Sequence, residues 1–167
     1  MKTIKGFTLV ELLILLVVIA VVAAVGIPNF NQMIRHNRVT SYSNAVLGAL
    51  NLARSTAVQR GDSMAVCGSS NGAACDGNWS AGWLVFVDPN GDAPGPATPA
   101  DVIRVGEAPP ALDGSTNGGL VRYSTRGVLG DGGITRLQVA YADCQAEGTS
   151  VITLASGGRS SAERQPC

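Results

Sequence analysis

Lysine is nearly absent from this chain: Lys2 and Lys5 are the only two, and the other ten of its 12 cations are arginines from Arg35 onward. Histidine occurs once, at position 36, and charged residues make up only 14% of the sequence. Low charge beside a 46% hydrophobic fraction excludes a disordered or highly charged tail protein. No uniform basic surface is available for indiscriminate nucleic-acid binding. A lone His36 beside an amphipathic stretch gives no nucleophile with a positioned base, so no catalytic residue and no enzyme is expected. There is no Cys-x-x-Cys, and four cysteines with one histidine lack the ligand set of a zinc site; no metal and no cofactor are expected.

The formal net charge of zero is a sum of opposites. Residues 31 to 60 hold four arginines and no acid, while residues 61 to 113 hold Arg104 against seven acids. From Phe7 to Ile27 the only charge is Glu11. A helix over that stretch, at about 1.5 Å per residue, is roughly 31 Å long, enough to cross a bilayer core. A secretory signal peptide is the competing reading, with Lys2 and Lys5 as its basic start and Ala23-Ala24 near a cut site. Glu11 inside the apolar block and the helical pattern continuing past Pro28 count against it. A carboxylate within a membrane segment calls for a partner or for a place near the headgroups, where the helix dipole favours it.

The string Lys5-Gly6-Phe7-Thr8-Leu9-Val10-Glu11-Leu12 resembles the processing motif of type IV prepilins: a short basic leader ending in Gly, then Phe, then Glu at the fifth mature position. The resemblance implies a leader over residues 1–6, cut by a prepilin peptidase between Gly6 and Phe7, with methylation of the new Phe7 amine. It also implies that Glu11 pairs with the Phe7 amine of a neighbouring subunit during assembly, easing two charges in an apolar bundle. Pro28, where type IV pilins commonly carry a proline, is expected to kink or open the helix.

Four cysteines, Cys67, Cys75, Cys144 and Cys167, make an even set for which three pairings are formally possible. We favour Cys67 with Cys75, closing a short Gly/Ser/Asn loop, and Cys144 with Cys167, tying down the C-terminus. Two disulfides place the C-terminal part in an oxidising compartment, the periplasm or beyond; the alternative is four buried thiols.

Beyond Pro28, Phe30, Ile34, Tyr42, Val46, Ala49, Ala53 and Ala57 recur at mostly helical spacing, with Arg35, Arg38, Asn44, Asn51 and Arg54 largely off that face. The helix is expected to end at Gln59-Arg60-Gly61. This gives one long kinked helix over residues 8 to 60, divided into a transmembrane and assembly part (7–28) and an amphipathic part (29–61). Residues 62–167 read as a β-rich domain with strands at Met64 to Cys67, Trp83 to Val87, Val102 to Val105, Leu120 to Ser124, Leu137 to Tyr141 and Val151 to Leu154. The fold class is α+β, a long N-terminal helix packed on an antiparallel sheet, which is also the architecture of type IV pilins.

The string Trp79-Ser80-Ala81-Gly82-Trp83-Leu84-Val85-Phe86-Val87-Asp88-Pro89-Asn90-Gly91-Asp92, following Cys67 and Cys75, resembles the globular domain of the GspH/FimT/FimU group. The resemblance implies a minor pilin that helps prime or connect a filament near its tip. Its partners would be the major pilin and other minor pilins or pseudopilins, its first location the inner membrane with a periplasmic domain, and its last the pilus on the cell surface. Two other roles on the same scaffold are a FimT-like DNA-binding pilin and a GspH-like pseudopilin of type II secretion. The DNA-binding element of FimT-type pilins is Gly-Arg-x-Arg; here Gly158 and Arg159 match, Ser161 replaces the second arginine, and Arg164 would serve only if brought alongside Arg159. DNA is therefore a disfavoured partner. Asp88, Asn90 and Asp92 alternate like a calcium loop, but Ala93 stands where glycine belongs and Pro99 where glutamate belongs. A Pro-Asn-Gly turn explains the same residues. Arg35 and Arg38 fit either acidic loops of an adjacent subunit or a charged flank at the membrane.

Overall fold

The computed structural model describes residues 7–116, 119–130, 133–141, 143–144 and 148–166, apart from the side chains at 25, 27–29, 115 and 116. Two compact units divide between His36 and Asn37. A single α-helix, α1, runs unbroken from Leu9 to Arg60, passing Pro28 without interruption. Its start is a capping box: Thr8 Oγ1 accepts the Glu11 amide at 3.2 Å, and Glu11 Oε2 accepts the Thr8 amide and hydroxyl at 3.0 Å each. Its end is Gly61 at φ 71°, whose amide still reaches the Ala57 carbonyl at 3.0 Å.

The first unit holds only the opening part of α1. The second joins the rest of the helix to two antiparallel four-stranded sheets. Strands β1 (Met64–Gly68), β2 (Gly82–Val87), β3 (Val102–Glu107) and β5 (Leu120–Tyr123) form sheet I in the order β3-β2-β1-β5. Strands β4 (Leu112–Thr116), β6 (Arg136–Tyr141), β7 (Thr149–Leu154) and β8 (Ser160–Gln165) form sheet II in the order β4-β6-β7-β8. Val39, Tyr42, Val46, Ala49, Leu50, Ala53 and Ala57 of the helix share one core with Val66, Val85, Val121, Leu137, Val139 and Ile152 of both sheets. Tyr42, Val46, Ala49, Ala53 and Ala57 are the face expected from periodicity, Val39 and Leu50 join it, and Phe30, placed on the same face, is 62% exposed.

All six expected strands exist, and two more accompany them, so the single sheet becomes two. The missed β4 contains Asp113-Gly114-Ser115, residues that read as a turn. The missed β8 is Ser-Ser-Ala-Glu-Arg-Gln, without an apolar face; it is an exposed edge held by its backbone ladder to β7. Between β7 and β8 a tight turn at Ala155–Gly158 is closed by the Gly158 amide on the Ala155 carbonyl at 2.8 Å, and Ser160 already pairs with Leu154. β1 is buried along its whole length because a second apolar cluster, Ala65, Cys67, Leu84 and Phe86 with Cys75, Ala93 and Leu120, covers the sheet face away from the helix.

Candidate assembly surfaces

The first unit presents an apolar cylinder. Phe7 is 87% exposed, and the large apolar side chains from Leu9 to Val22 are all at least 53% exposed. Burial of such a surface is worth on the order of 25 cal/mol per Å², so a helix of this composition is stable only when something apolar covers it. Among the described residues no helix is long and apolar enough to cross a membrane. Gly6, on the leader side of the expected cut, lies outside the described residues, as does the side chain of Pro28. The acceptor role of Glu11 toward Thr8 was legible as Thr-x-x-Glu before an apolar run; the sequence reading assigned Glu11 only to headgroups or a neighbouring amine.

In the second unit the tryptophan string is a packing device. Trp79 is fully buried, and its carbonyl accepts the Tyr42 hydroxyl at 2.6 Å, tying the loop before β2 to the helix. Burial pushes the Tyr42 phenol well above its ordinary value, so it stays a donor. A side chain at Gly114 would come within 2.9 Å of the Trp79 carbonyl carbon, and one at Gly106 within 2.3 Å of the Trp83 ring, so a glycine stands against the Trp79 backbone and another against the Trp83 indole. Both tryptophans are core.

Cys67 and Cys75 are disulfide-bonded as expected, with Cα atoms 5.7 Å apart. Cys144 is not a free thiol, and Cys167, its expected partner, lies outside the described residues. The bridged loop is also sewn by hydrogen bonds: Asn71 Oδ1 accepts the Ala73 and Ala74 amides at 2.9 and 3.0 Å, and Ser69 Oγ donates to the Ala74 carbonyl at 2.6 Å. The Ser70 hydroxyl, and after it the Asn78 amide, hold the Asp76 carboxyl below its usual range. The loop-closure entropy of eight residues is about 2.5 kcal/mol. Removing the bridge with Cys67→Ala/Cys75→Ala is expected to lower unfolding free energy by about 2–3 kcal/mol in a urea titration, with the loop melting first under hydrogen exchange.

Asp88 sits at 0% exposure and is saturated. Oδ2 accepts Arg122 Nε at 2.6 Å, while Oδ1 accepts the Gly91 and Ala93 amides at 3.1 Å each. Arg122 also donates to the Ala93 carbonyl at 3.0 Å. The Asp-Pro-Asn-Gly-Asp string is thus a turn locked onto β5 by a buried ion pair, and its first carboxylate has no room for a cation.

The two arginines considered for DNA are not brought together. Arg159 is exposed at the β7–β8 hairpin, whereas Arg164, about 16 Å further along an extended strand, donates to Thr40 of the helix at 2.8 Å. Gly158 has a structural duty of its own: its φ is 81°, and a Cβ there would stand 2.1 Å from the Gly127 carbonyl oxygen. Arg54 is not a solvated residue but a strut, donating from Nε to the Gly127 carbonyl and from Nη2 to the Gly157 carbonyl, both at 2.9 Å. Beside it, burial raises the Tyr123 phenol to about 12, with the Arg54 charge pulling the other way.

The family model of the type II transport protein GspH matches residues 43–158. This chain belongs to the GspH family. A prokaryotic N-terminal methylation motif matches residues 1–27, over the apolar segment that precedes the GspH domain. No curated protein matches the chain. Two crystal forms of the Pseudomonas aeruginosa type IV minor pilin FimU share its fold. One superposes with a TM-score of 0.58 at 17% identity over 78% of this chain and 93% of that one. The other gives 0.56 at 17% identity over 77% and 96%. In this GspH-family chain, as the sequence reading expected, one long helix leads into an antiparallel β domain.

Proposed function

We propose that this chain is a minor pilin of a type IV pilus, made as a precursor anchored in the inner membrane and then incorporated near the filament tip to prime or connect assembly with the major pilin. The observation that carries this reading is the helix of unit one: every large apolar side chain from Leu9 to Val22 is exposed, with one carboxylate, Glu11, in its first turn. In the sequence the apolar run extends to Ile27, long enough for a bilayer, and the same surface suits packing among equivalent helices of other subunits. Prepilin peptidase would cut between Gly6 and Phe7, and the freed, methylated Phe7 amine of one subunit would meet Glu11 of another. The tethered domain would lie in the periplasm, where the Cys67–Cys75 bridge persists.

Glu11→Leu is expected to leave insertion intact, because it removes a charge from an apolar helix, and to reduce surface pili at least about tenfold, counted after shearing. Normal piliation in that variant would sink the pairing. The matched family description favours one second reading, a pseudopilin of type II secretion. Deletion in the native host separates the two: loss of twitching with normal secretion supports the pilus, and the reverse supports the secretion system.

A further inference from the structure

Two loops meet at Cys75, on the face of sheet I that looks away from the helix. The first joins β1 to β2 and carries the Cys67–Cys75 bridge. Cys67 has no exposed surface, and Cys75 is half-buried. The backbone on both sides of Cys75 is held: the Ala74 carbonyl accepts Ser69 Oγ at 2.6 Å, and the Asp76 amide donates to the Gly68 carbonyl at 3.2 Å. Cys75 therefore cannot swing outward to meet a reagent, and the reagent has to come to it. The second loop, residues 88 to 101 between β2 and β3, lies across that approach. Ala93 packs in the same apolar cluster as Cys67 and Cys75. A Cβ built on Gly95 would have Cys75 as its nearest neighbour, with the amide nitrogen and Sγ at 3.5 Å and Cβ at 3.6 Å. Pro94 and Pro96 fix φ on either side of that glycine, so the segment has few conformations to open into. Its near end is fastened by Asp88, which accepts the Ala93 amide, and by Arg122, which bonds both Asp88 and the Ala93 carbonyl. Its far end is fastened by Asp101, whose Oδ2 accepts the Thr98 amide at 2.7 Å and hydroxyl at 2.9 Å.

We propose that Ala93–Gly95 is a strap that shuts the Cys67–Cys75 bridge off from thiols, with the Asp88–Arg122 pair as its latch. Reduction needs a thiolate to reach one sulfur of the bridge. With Cys67 covered, attack falls on Cys75 Sγ; the S–S bond breaks and Cys67 Sγ leaves as a thiolate with the electron pair. A second thiol of the reductant then displaces Cys75, so the reductant becomes the disulfide and the protein gains two electrons and, from the reductant thiols or water, two protons. The strap occupies the space in which the first step has to happen. A thiol–disulfide oxidoreductase would accordingly act on this bridge before the strap seats and not after. The device belongs to the globular unit and holds or fails separately from the pilus reading.

The test follows reduction of the full chain by dithiothreitol in detergent micelles, with Cys67 and Cys75 read separately from Cys144 by alkylation and peptide mapping. Arg122→Ala opens the latch, and Pro94→Gly/Pro96→Gly loosens the strap while leaving the latch in place. Ile152→Ala is the control, weakening the core from sheet II without touching strap or latch. A urea titration gives the unfolded fraction of each variant, and hence the rate expected if the bridge reacts only in unfolded molecules. The wild-type bridge is expected to react at least roughly a hundredfold more slowly than the same bridge in urea-unfolded chain. Latch and strap variants are expected to exceed the rate set by their unfolded fractions by about tenfold, through local opening, and Ile152→Ala to match its own. A wild-type bridge that reacts as fast as in unfolded chain would overturn the proposal. So would a latch or strap variant whose rate only follows its unfolded fraction, since opening the loop would then expose nothing.

Discussion

Arg122→Ala is expected to cost the globular unit about 3–5 kcal/mol, read as a fall in the urea midpoint at unchanged slope. The arginine is 16% exposed at its side chain and Asp88 not at all, so truncation strands a carboxylate where water cannot replace the lost donor. The two backbone amides at Gly91 and Ala93 remain, but they cannot supply the missing positive charge. The double variant Asp88→Ala/Arg122→Ala separates the pair from its surroundings. Removing both charges should cost less than the sum of the single losses, a coupling on the order of 1–3 kcal/mol. Additive losses would mean that the pair contributes nothing beyond its separate hydrogen bonds.

Trp79→Ala is the second large effect, also about 3–5 kcal/mol. The indole is the largest side chain in the core with no exposed surface, so its removal opens a void in a close-packed interior. Its backbone carbonyl would remain to accept Tyr42, which makes this a cavity cost and not a lost tether. Calorimetry should show the loss; a change below about 1 kcal/mol would contradict the packing described. Trp79→Phe, which refills part of the volume, should recover a substantial share.

The helix was readable almost to the residue because three signals agree on it: apolar periodicity from Tyr42 to Ala57, arginine in the last turn, and Gly61 at the exit. Strands buried on one face, such as β6 with Leu137, Val139 and Tyr141, were readable from alternation. β8 was not, since an edge strand of polar residues owes its place to backbone pairing that leaves no hydropathy signature. Asp113-Gly114 hid β4 for a related reason: the glycine is there to admit Trp79, a contact that exists only after folding. Among candidate functional residues, the Cys67–Cys75 bridge followed from chain proximity. The role of Arg54 was not legible because the Gly127 and Gly157 carbonyls it holds lie on two loops that reach the helix only after folding.

Thr8 and Glu11, the partners of the cap that begins α1, both lie C-terminal to the Gly6–Phe7 bond, and Phe7 itself stands outside the helix. A protease acting at that bond would therefore cut ahead of the capped helix, with Phe7 and Thr8 still preceding its first turn. The same helix would start at Leu9 before and after the cut, so maturation would change what precedes the helix and leave its nucleus standing.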